Sequence, residues 1–250
     1  MIRKYGHGLR DMTYILGSAC SDGILLIGDR KVTLGDGTTH EYEDKLFENT
    51  PWMVVGSSGT SGLFEKFRDM LSVYLATPEY NGNMFNLTTQ IENITRELNN
   101  IYREVLGGQV FDVLLGIKST TSAILRYIFP FGFAEGVRRY KVIGHGEPYG
   151  SFFLKRWWHP NMKMLEVAEL GFFIIKYIQD FELDNSVGIG DEHPQIWLIP
   201  NDPIPSGATP EQQMLLSPRV ISPEDMSAIT DRVSKRLNTF KKTSWENLST

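Results

Sequence analysis

The sequence lacks most of the features that assign a chain to a specialised class of protein. It has one cysteine, Cys20, in 250 residues, so no internal disulfide can form, and such usage is typical of a reducing compartment. No stretch reaches the roughly 18 consecutive apolar residues of a membrane span. Residues 1–12 have no apolar centre that would make them a secretory signal. These absences predict a cytoplasmic protein that does not enter a membrane.

Charge and histidine content exclude further classes. Lysine and arginine number 25 against 30 acidic residues, which gives a net charge of −5 and disfavours nucleic acid or an anionic membrane as a partner. The 5 histidines show no metal-ligand spacing with one another or with Cys20. We therefore predict no metal and no cofactor. The hydrophobic fraction of 41% and the charged fraction of 22% are typical of a globular domain.

Apolar periodicity divides the chain into alternating blocks of strands and helices. Two apolar runs flank Ser21, Asp22 and Gly23, which is the pattern of a hairpin. The other predicted elements, in chain order, are a turn at 34–37, strands at 45–47 and 52–56, helices at 63–75 and 91–105, strands at 111–117, 123–128 and 137–143, a helical block at 150–183, and a strand at 195–199.

This order indicates an α+β fold. Runs of strands that are separated from runs of helices favour a layered domain, and two antiparallel sheets between helix layers fit the order. We expect residues 13–199 to form the core domain. Residues 200–250 are predicted to be a C-terminal extension whose helix runs from 223 to about 240, with Ser222 as N-cap and Pro223 at the first helical position. Residues 1–12 are either a leader or a mis-assigned start.

The positions of Thr13, Asp29 and Lys45 in the sequence make these three residues candidates for catalytic roles. Thr13 directly follows Met12, and removal of the preceding residues would give it a free α-amine beside its hydroxyl. An α-amine has a pKa near 7.7–8.0, so it can act as general base for that hydroxyl. A lysine ammonium at Lys45 would lower the pKa of both groups, and Asp29 would keep the lysine charged and aimed.

Four segments around these residues resemble the opening of a proteasome β subunit, a member of the N-terminal nucleophile (Ntn) hydrolases. They are Thr13-Tyr14-Ile15-Leu16-Gly17, Asp22-Gly23-Ile24, Asp29-Arg30-Lys31-Val32-Thr33 and Lys45-Leu46-Phe47. The resemblance covers about residues 13–199 and is strongest over the first fifty. It implies a four-layer αββα sandwich, with Thr13 as the nucleophile and Asp29 and Lys45 as its electrostatic partners.

The resemblance implies further roles and partners. The backbone of Thr33 would bind an extended substrate as an added strand, and the amide of Gly56 would stabilise the oxyanion. The other residues implied to contact substrate are Val54, Val55, Ser57 and Ser58. The implied substrate is a peptide or an unfolded protein. The implied assembly is a homo- or hetero-oligomeric ring, with an ATP-dependent unfoldase as a further partner.

The sequence departs from the family pattern at several positions. Lys31 stands where the family usually has arginine. His145 replaces the serine of a Gly-Ser-Gly segment, where it would accept a proton, with an unperturbed pKa near 6.5, or would be a turn residue that points away. Asp184 matches a later family aspartate, but Val187 takes the place of the serine that follows it. The hydroxyl network around Thr13 is therefore thinner than usual.

These departures leave three functions open. The leading prediction is a threonine-type peptidase that uses Thr13 after residues 1–12 are removed. The second is a catalytically inactive structural or assembly subunit, in which residues 1–12 stay attached. The third is an Ntn amidase or transpeptidase, in which the same acyl-enzyme forms from a small amide or is resolved by an amine.

Overall fold

The computed structural model describes residues 13–33, 40–59, 61–80, 83–102, 111–184, 187–190 and 192–248. The leader at 1–12 and the predicted turn at 34–37 lie outside these residues. The described elements are β1 Ile15–Cys20, β2 Gly23–Gly28, β3 Lys31–Thr33, β4 His40–Tyr42, β5 Leu46–Thr50, β6 Met53–Ser58, α1 Ser61–Leu75, α2 Met84–Ile101, β7 Asp112–Lys118, β8 Ala123–Ile128, β9 Ala134–Gly136, β10 Tyr140–Ile143, α3 Glu147–Trp157, α4 Met164–Asp180, β11 Gln195–Pro200, α5 Pro210–Leu216, β12 Arg219–Val220 and α6 Pro223–Leu248.

Two antiparallel sheets carry the fold. The first has the strand order β10-β1-β2-β11-β12, and the second has the order β5-β6-β7-β8-β9. A separate short pair joins β3 to β4. The predicted hairpin is confirmed, because β1 and β2 pair from Ile15 opposite Gly28 to Cys20 opposite Gly23.

The two sheets stack face to face and are covered by helices on both outer sides. Successive residues of a strand point to opposite faces, so Ile15 packs between the sheets while Leu16 packs under helices. The core of α3, α4 and α6 residues lies against the first sheet, and the core of α1 and α2 residues lies against the second. The predicted four-layer αββα arrangement is confirmed.

The helix layers form where apolar residues recur at helical spacing. In α2, Leu87, Ile91, Ile94 and Leu98 are buried on one face, as period 3.6 requires. The N-cap Asn83 accepts a hydrogen bond from the amide of Phe85 at 2.8 Å, which satisfies one of the free amides at the helix start.

The C-terminal extension joins the first sheet and its helix layer. β12 pairs with β11, and α6 buries Ile229, Val233 and Leu237 in the same core as α4. α6 also runs on to Leu248, beyond the predicted end near 240. Neither α5 nor β12 was predicted, because α5 buries no residue and β12 has only 2 residues, so neither produces apolar periodicity.

Candidate active site

The carboxylate of Asp29 is the centre of the candidate site. Its Oδ1 accepts hydrogen bonds from the amide of Tyr14 and from Nζ of Lys45, both at 2.8 Å. Its Oδ2 accepts one from the amide of Gly188 at 3.2 Å. Asp29 is fully buried and Lys45 nearly so. A largely buried charged pair is thus held directly beside the backbone of Thr13.

The strand register explains why these residues meet. Ile15 lies opposite Gly28, so the residues that precede β1 meet those that follow β2. The amide of Asp29 accordingly donates to the carbonyl of Tyr14 at 2.9 Å. Lys45 immediately precedes β5, and its Nζ also donates to the carbonyl of Lys31 at 2.6 Å. The lysine therefore joins β5 to the segment that follows β2.

A side chain from the first sheet holds the start of β5 in place. Oε1 of Gln195 accepts the amide of Leu46 at 2.7 Å, and Nε2 of Gln195 donates to the carbonyl of the same residue. The side-chain amide thus pairs with Leu46 as a neighbouring strand would. Because Leu46 follows Lys45, this pairing fixes the point from which the lysine side chain extends toward Asp29.

Burial and charge act in opposite directions on Asp29. Burial raises the pKa of Asp29, while the Lys45 ammonium and the amides of Tyr14 and Gly188 oppose that rise. The pKa of Lys31 is lowered by burial, against the opposing charges of Asp29 and Asp184. The structure thus places Asp184 within electrostatic reach of Lys31, at the edge of the same site.

The backbone of Thr13 is enclosed by the segment between β10 and α3. The amide of Gly146 donates to the carbonyl of Thr13 at 3.3 Å. Gly144 has φ +90°, and a side chain there would lie 2.0 Å from the same carbonyl oxygen, so only glycine fits. The side chain of His145, between these glycines, is exposed. Thr13 itself is buried, with 4% of its surface exposed.

Gly56 does not have the environment of an oxyanion donor. It lies inside β6, opposite Leu46 on one side and Leu114 on the other. In the interior of an antiparallel sheet the amide of such a residue is used by one neighbouring strand. A side chain at Gly56 would meet Leu46 at 2.5 Å. This glycine therefore serves close packing between the sheets, and the role expected for it is wrong.

Val54 and Val55 are also misassigned. Both are fully buried in the middle of β6. Val54 packs between the two sheets, and Val55 packs under α1 and α2. Each is enclosed in core, so neither is available to a substrate.

Ser57 and Ser58 lie at the end of β6 that is nearer to Lys45. Gly56 pairs with Leu46, so the residues after Gly56 and before Leu46 lie at the end where Lys45 stands. Ser57 is buried, and its Oγ has no hydrogen-bond partner among the described residues. The backbone of Thr33 lies in β3, opposite His40, so this residue belongs to the short strand that begins at Lys31.

A buried carboxylate, Asp112, lies directly behind this strand end. Asp112 pairs with Ser58 across β6 and β7. The hydroxyl of Ser58 donates to its Oδ1, and the hydroxyl of Tyr127 donates to its Oδ2 at 3.0 Å. Burial raises the pKa of Asp112 to about 6, although both hydroxyls and the charge of Lys141 oppose the rise.

The raised pKa of Asp112 predicts a pH-dependent stability. Between the unfolded pKa and about 6 the native state binds the extra proton, so the free energy of unfolding falls as pH rises through that window. Asp112→Asn removes this pH-dependent contribution to the free energy of unfolding. Relative to the wild type, its free energy of unfolding should increase by about 2–3 kcal/mol from roughly pH 4 to roughly pH 8. Urea unfolding at both pH values measures it.

The control for this prediction is Asp231→Asn on α6, because Asp231 is exposed. Because the substituted side chain is exposed, the change in the free energy of unfolding should stay within about 0.5 kcal/mol at either pH. A pH-independent difference for Asp112→Asn would show that this carboxyl titrates normally.

Sequence reasoning missed the groups that act through their backbone. Gly144, Gly146 and Gly188 hold Thr13 or Asp29 by main-chain contacts, which leave no side-chain signature. Asp112 and Gln195 were also missed. Their signal was a polar residue at the start of an otherwise apolar strand.

Two negative findings apply to the described part of the chain. It contains no group of three or more histidine, cysteine, aspartate or glutamate side chains that could hold a metal ion. Within the same residues no helix combines the length and the apolar character that crossing a bilayer requires.

Comparison with known proteins identifies the family of this chain. Residues 12–189 match the family model described as proteasome subunit, and the chain belongs to the proteasome subunit family. The proteasome subunit beta 1 of Streptomyces avermitilis is 28% identical over 164 residues, 62% of this chain and 57% of the relative. The proteasome subunit beta of Stackebrandtia nassauensis is 23% identical over 190 residues, 72% of this chain and 66% of the relative. The chain thus spans less than two thirds of the length of either relative.

Solved structures with the same fold cover nearly the whole chain. Anbu (ancestral beta-subunit) from Yersinia bercovieri has a TM-score of 0.70 at 19% identity, over 93% of this chain and 97% of that chain. Anbu from Hyphomicrobium sp. strain MC1 has a TM-score of 0.66 at 16% identity, over 92% of this chain and 97% of that chain. At these identities the likeness defines the fold.

Proposed function

We propose that this chain is a threonine-type peptidase of the proteasome β class, with Thr13 as its nucleophile once residues 1–12 are removed. The observation that carries the proposal is the buried Asp29–Lys45 pair. The amide of Tyr14, the residue after Thr13, donates a hydrogen bond to Asp29 and so holds the pair beside Thr13. Taking two charges out of water is costly. A pair in this position is well explained by a need for fixed positive charge at the nucleophile.

The proposed reaction begins at the Thr13 hydroxyl. Its Oγ1 attacks the peptide carbonyl, and its proton passes to the free α-amine, directly or through a water. The ammonium of Lys45 stabilises the negative charge that develops. The peptide nitrogen leaves with that proton, and an ester remains on Thr13. Water then attacks the ester and releases the acid product.

The oxyanion donor is better assigned to Gly59 than to Gly56. Gly59 is the first residue beyond β6 and has φ +130°, a backbone conformation that favours glycine. It follows Ser57 and Ser58 at the strand end where Lys45 stands. An amide beyond the paired part of a strand is suited to bind a developing charge. His145 and Asp184 stay proposed as outer members of the site that contact water or Lys31.

We propose that the substrate is an extended peptide or unfolded protein. The backbone of β3, from Lys31 to Thr33, would pair with it as an added strand. The buried hydroxyl of Ser57 would then face the bound residue. Family membership further supports a cytoplasmic ring of homologous subunits, which receives its substrate from an ATP-dependent unfoldase.

One observation favours the inactive-subunit alternative. Val187 is buried in the core where the family pattern has a serine, so a hydroxyl that would serve the amine is replaced by an apolar side chain. In such a subunit residues 1–12 remain attached and the nitrogen of Thr13 stays a peptide nitrogen, which cannot act as a base.

The experiment combines mass analysis with covalent labelling of the protein purified from cells. We expect an intact mass and an N-terminal sequence that begin at Thr13, and a peptide β-lactone should acylate Thr13. Burial raises the pKa of the Cys20 thiol to about 12, so this thiol is a weak competitor for the reagent. If residues 1–12 were still attached in the assembled protein, the proposal that this chain is an enzyme would be refuted. Labelling without peptide turnover would favour an amidase, and products joined to an added amine would favour a transpeptidase.

A further inference from the structure

A buried polar network links the end of β6 to the segment between β10 and α3. On one side, the hydroxyl of Ser58 donates to Asp112, and Ser58 immediately precedes Gly59. On the other side, the charges of Lys141 and Glu147 act on the Asp112 carboxyl, and these two residues flank the glycines that enclose the Thr13 carbonyl.

The groups around Asp112 come from four elements. Ser58 of β6 and Tyr127 of β8 each give one hydroxyl to the carboxylate. Lys141 of β10 lies 4.5 Å from the centre of the Tyr127 ring and 3.6 Å from Glu147 at the start of α3. Both oxygens of the carboxylate thus accept hydrogen bonds, and one positively and one negatively charged side chain lie nearby.

We propose that Asp112 is a positioning residue of the Thr13 site, acting through the hydroxyl of Ser58 on the strand end that carries the Gly59 amide. This inference rests on the proposed function. β6 ends at Ser58, so the hydrogen bond to Asp112 restrains the last residue of the strand. Without it, we expect the Gly59 amide to lose its fixed position at the end of β6, although the sheet itself stays paired.

The two hydroxyls on Asp112 provide a matched pair of variants. Ser58→Ala and Tyr127→Phe each remove one donor from the same buried carboxylate. Only Ser58→Ala loosens the strand end that precedes Gly59. We therefore expect Ser58→Ala to lower kcat for peptide hydrolysis and the rate of β-lactone acylation about tenfold, with KM nearly unchanged, as for loss of a hydrogen bond to a charged group. Tyr127→Phe should leave both rates within about threefold of the wild type, because Tyr127 lies in β8 and its loss does not free the strand end that precedes Gly59.

Asp112 itself supplies the second test. Asp112→Asn keeps an oxygen that can accept from Ser58, so it should lose less kcat than Asp112→Ala. Asp112→Ala should lose about as much as Ser58→Ala, and the double variant Asp112→Ala/Ser58→Ala should lose no more than either single variant, because the two residues act through one contact.

The outcomes separate this inference from the proposed function. Equal kcat losses in Ser58→Ala and Tyr127→Phe, or additive losses in the double variant, would overturn the positioning role while Thr13 stays the nucleophile. Absence of β-lactone labelling at Thr13 in the wild type would overturn the proposed function and the positioning role with it.

Discussion

Thr13→Ala is expected to abolish covalent labelling and to reduce peptide hydrolysis by at least about 10³-fold, because removal of a nucleophile leaves only binding and oxyanion stabilisation. The fold should be retained. The contact that the structure shows for Thr13 is made by its carbonyl oxygen, which accepts from Gly146, and alanine keeps that oxygen. Hydrolysis of a fluorogenic peptide and far-ultraviolet circular dichroism measure the two effects.

Thr13→Ser is the matched control for this substitution. Serine keeps the hydroxyl and loses only a methyl group, so labelling should persist and hydrolysis should stay well above that of the alanine variant. Both variants must begin at residue 13 for the comparison to be valid, which N-terminal sequencing verifies. Hydrolysis that survives Thr13→Ala would assign the activity to another nucleophile.

The local parts of the fold and site could be predicted from the sequence. The β1–β2 hairpin turns over Ser21 and Asp22, and the register that this short turn sets places Asp29 next to Tyr14. The convergence of Lys45 on Asp29 was implied by the family resemblance. The long helices were predicted because each buries a regular apolar face.

The remainder of the site depends on contacts that no local pattern encodes. Gly144 and Gly188 reach Thr13 and Asp29 from far along the chain, and they do so through backbone atoms. Periodicity also cannot distinguish a glycine that allows close packing, as at Gly56, from one that ends a strand, as at Gly59. No local pattern marks Asp112 as a site residue, because its partners Ser58 and Tyr127 lie on separate strands.

The charged pair beneath Thr13 gives the second large prediction. Lys45→Met should destabilise the fold by about 3–5 kcal/mol, because it leaves the carboxylate of Asp29 buried without its counter-charge. Asp29→Asn should cost a similar amount, about 3–5 kcal/mol, because it leaves the buried Lys45 ammonium without its counter-charge and turns one accepting oxygen into an amide that faces a donor. The double variant removes both charges and should be more stable than Lys45→Met alone. Urea unfolding of the three variants measures these differences.

The cost of Lys45→Met should also depend on pH. Burial already raises the pKa of Asp29, and the Lys45 ammonium opposes that rise. Lys45→Met removes the ammonium and should therefore raise the pKa of Asp29 further. A carboxyl with a raised folded-state pKa contributes stability below its unfolded pKa and loses it as pH rises through the folded value. The deficit of Lys45→Met should therefore be smaller at about pH 4 than at about pH 8.

The control is Lys241→Met on α6. Its ammonium pairs with Asp180 at 2.9 Å, but its side chain is 41% exposed, so its loss should cost about 0–1 kcal/mol. If Lys45→Met were no more costly than Lys241→Met, Asp29 would be protonated in the native state. Asp29 and Lys45 would then not form a charged pair, and the proposal that Thr13 is an activated nucleophile would lose the observation that supports it.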